Sequence, residues 1–187
     1  PRSLHCFPAR RSYDLKVYAK SPELLKAISG DAYIYRWKFR LSSEFQPSRR
    51  FTHLHQIKAV GGIEARMPLI TLTARKGRKG APNRFELRYA NKLTSRILYW
   101  KQLNPFLGKW IKVIEKITYG EKCKYSVEIK SIKTNKSMFF YRNNKIPMWK
   151  NGAEFLRTKW GIYRSLKDKI NLKDEVVDFA DFSIIYR

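Results

Sequence analysis

From Asp31 the chain alternates, with Tyr33, Tyr35, Trp37, Phe39 and Leu41 on one parity and Ile34, Arg36, Lys38 and Arg40 on the other. A period of two marks a half-buried strand, so the aromatic row is expected in a core and the basic row in solvent or against a ligand. One apolar and one polar face is the pattern of an antiparallel sheet, not of a parallel sheet covered on both sides. Comparable stretches recur at 52–60, 69–75, 84–89, 109–117, 125–132, 138–142, 155–164 and 176–186. Turn signals separate them at Gly61-Gly62, 77–82, Asn104-Pro105, Tyr119-Gly120, Asn143-Asn144 and Asn151-Gly152. Ser21-Pro22-Glu23, followed by Leu24, Leu25, Ile28 and Gly30, predicts a helix of about two turns with a Ser cap, an early Pro and a Gly stop. Residues 1–14 show no period and read as an arm or a peripheral strand.

Many short strands and at most one or two short helices predict an all-β chain. The version that offers a groove is an antiparallel β-jelly roll with a concave sheet. No internal repeat is evident, which argues against a propeller or solenoid.

Composition adds a core and a charge. The 187 residues are 43% hydrophobic and 14% aromatic, too rich for a disordered tail and of a length suited to one domain over 1–187. Forty Lys and Arg against 15 Asp and Glu give a formal charge of +25, which calls for a polyanionic partner. Nucleic acid, an anionic membrane face and an acidic polysaccharide all satisfy that charge. No apolar run approaches the ~18 residues of a membrane span, so no membrane partner is expected. The chain opens at Pro1 with neither Met nor an apolar signal segment, the form expected of a mature or truncated version of something longer. Cys6 and Cys123 lack metal-ligand spacing and read as buried thiols or, in an oxidising compartment, one disulfide.

Two segments combine strand periodicity with polar chemistry. In Thr52-His53-Leu54-His55-Gln56-Ile57-Lys58, strict alternation puts Thr52, Leu54, Gln56 and Lys58 on one face and His53, His55 and Ile57 on the other. His-x-His is a possible zinc pair, but His5 is the remaining histidine and no Cys pair is near, which favours histidines hydrogen-bonded within the sheet. In the segment from Arg157 to Ser165, Lys159, Gly161, Tyr163 and Ser165 share a face and Trp160 opposes them, toward the core. Gly161 marks either a bulge or a bare stretch of backbone that a sugar ring approaches closely. The late acids Asp174, Glu175, Asp178 and Asp181 read as ion-pair partners in so basic a chain.

FTHLHQIKA, MPLITLTARKG, LGKWIKVIEKITYGEKCKYSVEI, MWKNGAEFLRTKWGIYRSL and DEVVDFADFSI together resemble the glucuronan lyases of polysaccharide lyase family 20, from about Asp31 to the C-terminus. A weaker likeness extends to the jelly-roll alginate lyases, whose Gln-Ile-His and Lys-Ala-Gly-Val-Tyr-Asn-Gln motifs look similar to Gln56-Ile57-Lys58 and to Lys159 through Ser165. The resemblance implies a concanavalin-like sandwich whose cleft is lined by Gln56 and Tyr163. It departs at Lys58, which stands where the alginate lyases carry their histidine, so a required histidine is either His53 or His55, on the opposite face by strict alternation, or one outside the matched region.

The implied reaction is β-elimination on a polyuronate. Removal of the C5 proton puts further negative charge on an anionic sugar, so the site must neutralise the carboxylate. Gln56 would donate an amide N–H, while Lys58, Lys159, Arg40 and Arg164 would supply positive charge. In β-1,4-linked glucuronate the C5 hydrogen and O4 lie on one side of the ring, and Tyr163 would serve both as base and acid. No cofactor or metal is required; a calcium, if bound, would brace a loop. The expected partner is a glucuronate-rich or alginate-like acidic polysaccharide, met outside the cell by a monomer. Two other readings fit the same charge: a non-catalytic lectin of this fold, and a β domain that binds nucleic acid.

Overall fold

The structure, a computed structural model, describes residues 15–16 and 22–187. The expected arm at 1–14, Cys6 and the Ser21 cap therefore lie outside the described residues. Among the described residues eleven strands run in chain order: β1 (Leu15–Lys16), β2 (Ala32–Leu41), β3 (Thr52–Val60), β4 (Ile70–Arg75), β5 (Arg84–Tyr89), β6 (Arg96–Gln102), β7 (Trp110–Thr118), β8 (Cys123–Ser131), β9 (Ser137–Ile146), β10 (Phe155–Arg164) and β11 (Val177–Tyr186). They pair antiparallel into a six-stranded sheet ordered β1-β10-β3-β4-β5-β6 and a five-stranded sheet ordered β11-β2-β7-β8-β9.

Alternation decides what lies between the sheets. Tyr33, Tyr35, Trp37, Phe39 and Leu41 of β2 enter the core, where they meet Leu54 and Ile57 of β3, Leu72 of β4, Phe85 and Leu87 of β5, and Trp160 of β10. Each fully buried large apolar side chain contributes roughly 1.5–3 kcal/mol relative to exposure. Cys123 is a free, buried cysteine. A polar bridge crosses this apolar layer. Glu115 of β7, fully buried, lies 2.9 Å from Nε2 of His55 on β3 and accepts a 2.7 Å hydrogen bond from the Tyr125 hydroxyl. Nδ1 of His55 lies 3.1 Å from the carbonyl of Lys159, so this one histidine ties β10 to the opposite sheet.

Three expectations need correction. The short N-terminal helix is a single 3-10 turn, Glu23–Leu25, because Ala27 pairs with Leu156 and draws the chain into a bridge to β10. Three more 3-10 turns, Ile63–Arg66, Asn104–Phe106 and Leu166–Asn171, complete the helical content among the described residues. Asn143-Asn144 does not end a strand: β9 is an edge strand and carries both residues through to Ile146. The sixth strand of the chain, β6, was not expected; it pairs on one side only and its residues are exposed or half-buried, so no apolar stripe announces it.

Candidate active site

The outer face of the six-stranded sheet, opposite the core, carries a polar array in two rows. Register pairing aligns Lys159 of β10, Gln56 of β3, Thr71 of β4 and Arg88 of β5 in one row. The second row is Tyr163, His53, Thr73, Glu86 and Trp100. Gln56, Thr71, Thr73 and Glu86 face away from the core and are nonetheless buried, which makes the middle of this face the candidate cleft.

His53 reaches this face through an irregularity that strict alternation does not contain. His55 pairs with Leu72 and His53 with Thr73, so Leu54 is one residue too many against β4. Against β10 the same step spans Gly161 and Ile162, since Trp160 pairs with His55 and Tyr163 with His53. A bulge reverses the parity of the residues on its far side. Leu54 and His55 both turn inward, and His53 joins Gln56 on the outer face. The shared face expected for His53 and His55 is thus overturned, and His55 is a core residue bonded to Glu115 and remote from the cleft. Of the two readings of Gly161, the bulge holds: its φ is +145°, a conformation glycine adopts and L side chains rarely do.

Around His53 the geometry is tight. The Phe51 ring stacks on it with centroids 4.5 Å apart, and the Tyr163 ring lies 6.1 Å from it and 5.5 Å from Phe51. Nδ1 of His53 is buried with no hydrogen-bond partner. Burial first, then the positive charges of Arg88, Arg75 and Lys159, push its pKa down to about 3, so the imidazole is neutral at ordinary pH. Tyr163 is 44% exposed and the Lys159 ammonium sits 6.0 Å from its ring centroid. The face therefore brings together an accessible phenol, a neutral imidazole, an amide and two cations.

Sequence reasoning missed Glu86 and Arg88. Arg88 donates to Glu86 at 2.9 Å and to the Ser95 hydroxyl at 3.1 Å, which fixes its guanidinium beside the Gln56 row. The signal was the alternation Arg84, Glu86, Arg88, three charges on one face of a strand whose other face, Phe85, Leu87 and Tyr89, is core.

The remaining candidates separate. Lys58 lies on the outer face opposite Arg157, one row beyond Gln56. Arg40 stands on the outer face of the other sheet, where its Nε donates to Asp178 at 2.8 Å and its guanidinium covers the Trp110 ring at 5.2 Å. Arg164 alternates away from Tyr163 and donates to the Lys173 carbonyl at 2.8 Å. Neither arginine serves the cleft as expected; both secure the C-terminal segment. Three of the four late acids behave as ion-pair partners: Asp178 with Arg40, Asp181 with Lys38, and Glu175 with Lys173 at 4.0 Å. Among the described residues no group of three or more His, Cys, Asp or Glu side chains is gathered to hold a metal, and no helix is long and apolar enough to cross a membrane.

No family model matches this sequence, and no curated protein matches it in sequence. Solved structures do match in fold. The endo-β-1,4-glucuronan lyase of the fungus Trichoderma reesei superposes with a TM-score of 0.59 at 13% identity, over 97% of this chain and 78% of that one. The marine PL-14 alginate lyase of Aplysia kurodai gives 0.56 at 14%, over 86% and 72%. The CBM2 module of the evolved Dit protein of Lactobacillus casei BL23 phage J-1 gives 0.54 at 6%, over 84% and 62%. At these identities the likeness establishes the jelly-roll fold of the sandwich.

Proposed function

We propose that this chain is a polysaccharide lyase that cleaves β-1,4-linked polyglucuronate, or a related acidic polysaccharide, by β-elimination. The observation that carries the reading is the pairing of Tyr163 with His53 on the cleft face, flanked by Gln56, Lys159 and Arg88. The likeness in fold to glucuronan and alginate lyases supports it.

Each group offers a distinct piece of the chemistry. Gln56 donates an amide N–H to the uronate carboxylate, and Arg88 and Lys159 offset the charge that grows on it as the C5 proton leaves. His53, neutral, presents one ring N–H and one ring nitrogen lone pair without adding a positive charge to the site. Tyr163, as phenolate, takes the C5 proton. The C–H electrons become the C4=C5 π bond, the C4–O4 bond breaks, and the phenol proton passes to O4 of the departing sugar. Protons and electrons balance without a metal or a redox cofactor. A substrate of this kind is an extracellular polymer, which makes the extracellular space the place of action.

The test is to mix the protein with glucuronan, alginate and other glucuronate-rich glycans and follow the ultraviolet absorbance of the double bond conjugated to the carboxylate. A rise with glucuronan is expected. Tight binding with no rise on any polymer would replace the lyase with a non-catalytic lectin of the same fold.

A further inference from the structure

Beyond Tyr163 and His53 the outer face opens into a second groove of about 1040 Å³, at the ends of β10, β3 and β4. Arg49 and Arg50 enter it from the segment before β3. Arg75 and Lys76 enter from the end of β4, followed by Arg78 and Lys79 in the loop after it, and Lys167 closes the third side. Among the described residues no carboxylate lines this groove.

The chain spends structure on holding these like charges together. Arg75 Nε donates to the Arg50 carbonyl, and Lys76 N–H to the Ser48 carbonyl at 3.0 Å, which binds the two basic segments to each other. The loop that carries Arg78 and Lys79 is a built turn. Ala81 N–H donates to the Arg78 carbonyl at 3.0 Å, and Lys79 and Gly80 take φ of +50° and +80°. At Gly77 a Cβ would stand 1.7 Å from the Ala81 carbonyl oxygen, so glycine is required there. Burial lowers the pKa of Arg75; Glu86 opposes that and Arg88, Arg78 and Arg84 add to it. Such crowding disfavours the empty fold and favours a bound polyanion.

Position and charge count identify that polyanion. The groove meets the cleft at Phe51, which lines it and also stacks on His53, so a polymer lying in it is the polymer that reaches Tyr163. Crossing three strand ends at ~4.8 Å spacing spans about 10 Å, room for about two sugar units. Two units of a plain polyuronate bring only two carboxylates to Arg50, Arg75, Lys76, Arg78, Lys79 and Lys167. Single-stranded nucleic acid is disfavoured, because among the described residues the groove offers no aromatic platform other than Phe51, already covered by His53. We propose that this groove binds sulfate esters, so that the preferred substrate is a polyuronate carrying sulfate as well as carboxylate. The inference rests on the lyase cleft for the sugar backbone and adds the sulfate on the strength of the groove.

The experiment compares dissociation constants for glucuronan, chemically sulfated glucuronan and oligodeoxythymidylate at matched ionic strength, using Tyr163→Phe to hold turnover down. The sulfated polymer is expected to bind about tenfold more tightly than its parent, two added charge-assisted contacts being of that size. The double variant Arg78→Glu/Lys79→Glu should reduce the ratio to less than about twofold, while Lys112→Glu/Lys116→Glu on the outer face of the other sheet, an equal change in net charge, should preserve it. Equal affinity for the two glucuronans would overturn the proposal. So would a loss as large in the Lys112/Lys116 variant, which would reduce the preference to general charge, or tighter binding of the oligonucleotide that the groove variant abolishes. Double-bond absorbance from wild type is read separately: its absence with the sulfate preference intact would contradict elimination and still support the sulfate site.

Discussion

Two residues carry the chemical reading, and each makes its own demand. Tyr163 is the sole phenol in the paired rows, and general acid–base catalysis contributes about 10²–10⁴-fold. Tyr163→Phe should therefore lose turnover in that range while binding glucuronan with nearly unchanged affinity, the pattern of a group that acts in the transition state. His53 links the site to stability. Its pKa falls from 6.5 to about 3 on folding, so the unfolded chain takes up a proton at a pH where the folded chain does not. The stability contribution is fully present above pH 6.5 and is lost as the pH falls from there toward 3, by at most about 1.4 kcal/mol per pH unit. Thermal unfolding of wild type and His53→Gln over that window should show the wild type losing stability more steeply on acidification. Parallel profiles would contradict the buried, neutral imidazole.

The strands show what was legible in the sequence and what was not. β3, β5 and β10 have the bounds that alternation predicted, because each presents a mainly apolar side to the core and a mainly polar side outward. Position 54 is where that rule fails. Leu54 is apolar and so is the bulge site it fills, and nothing in Thr52-His53-Leu54-His55-Gln56 says that one residue is surplus to the partner strand. Gly161 was the one visible trace, on the neighbouring strand. β6 and the end of β9 escaped because edge strands need no apolar row. Gly161→Ala should cost about 1–2 kcal/mol in chemical denaturation, since alanine is strained at its backbone conformation, and should lower turnover by disturbing the Tyr163 register. Between the sheets, Glu115→Ala leaves His55 and Tyr125 buried without their partner and should cost about 3 kcal/mol, with little effect on substrate affinity because the cleft lies on the other face of β3.

At the scale of the whole molecule, the +25 charge read from composition divides into parts with different work. Arg40 and Lys38 on the outer face of the five-stranded sheet are held by Asp178 and Asp181. On the six-stranded sheet, Lys159 and Arg88 flank the Gln56 row, and further cations crowd the adjoining groove. Binding of an acidic glycan should accordingly fall steeply as salt rises, with a steeper dependence in wild type than in the Arg78→Glu/Lys79→Glu variant. The proposed elimination asks for something narrower than charge: a phenol on the face of Gln56 and His53 to move the C5 proton. The most direct test is to follow double-bond formation from glucuronan by wild type and Tyr163→Phe at equal, saturating occupancy. A clear signal from wild type and a loss of at least about a hundredfold in the variant are expected; an undiminished signal from Tyr163→Phe would contradict the assignment of that phenol.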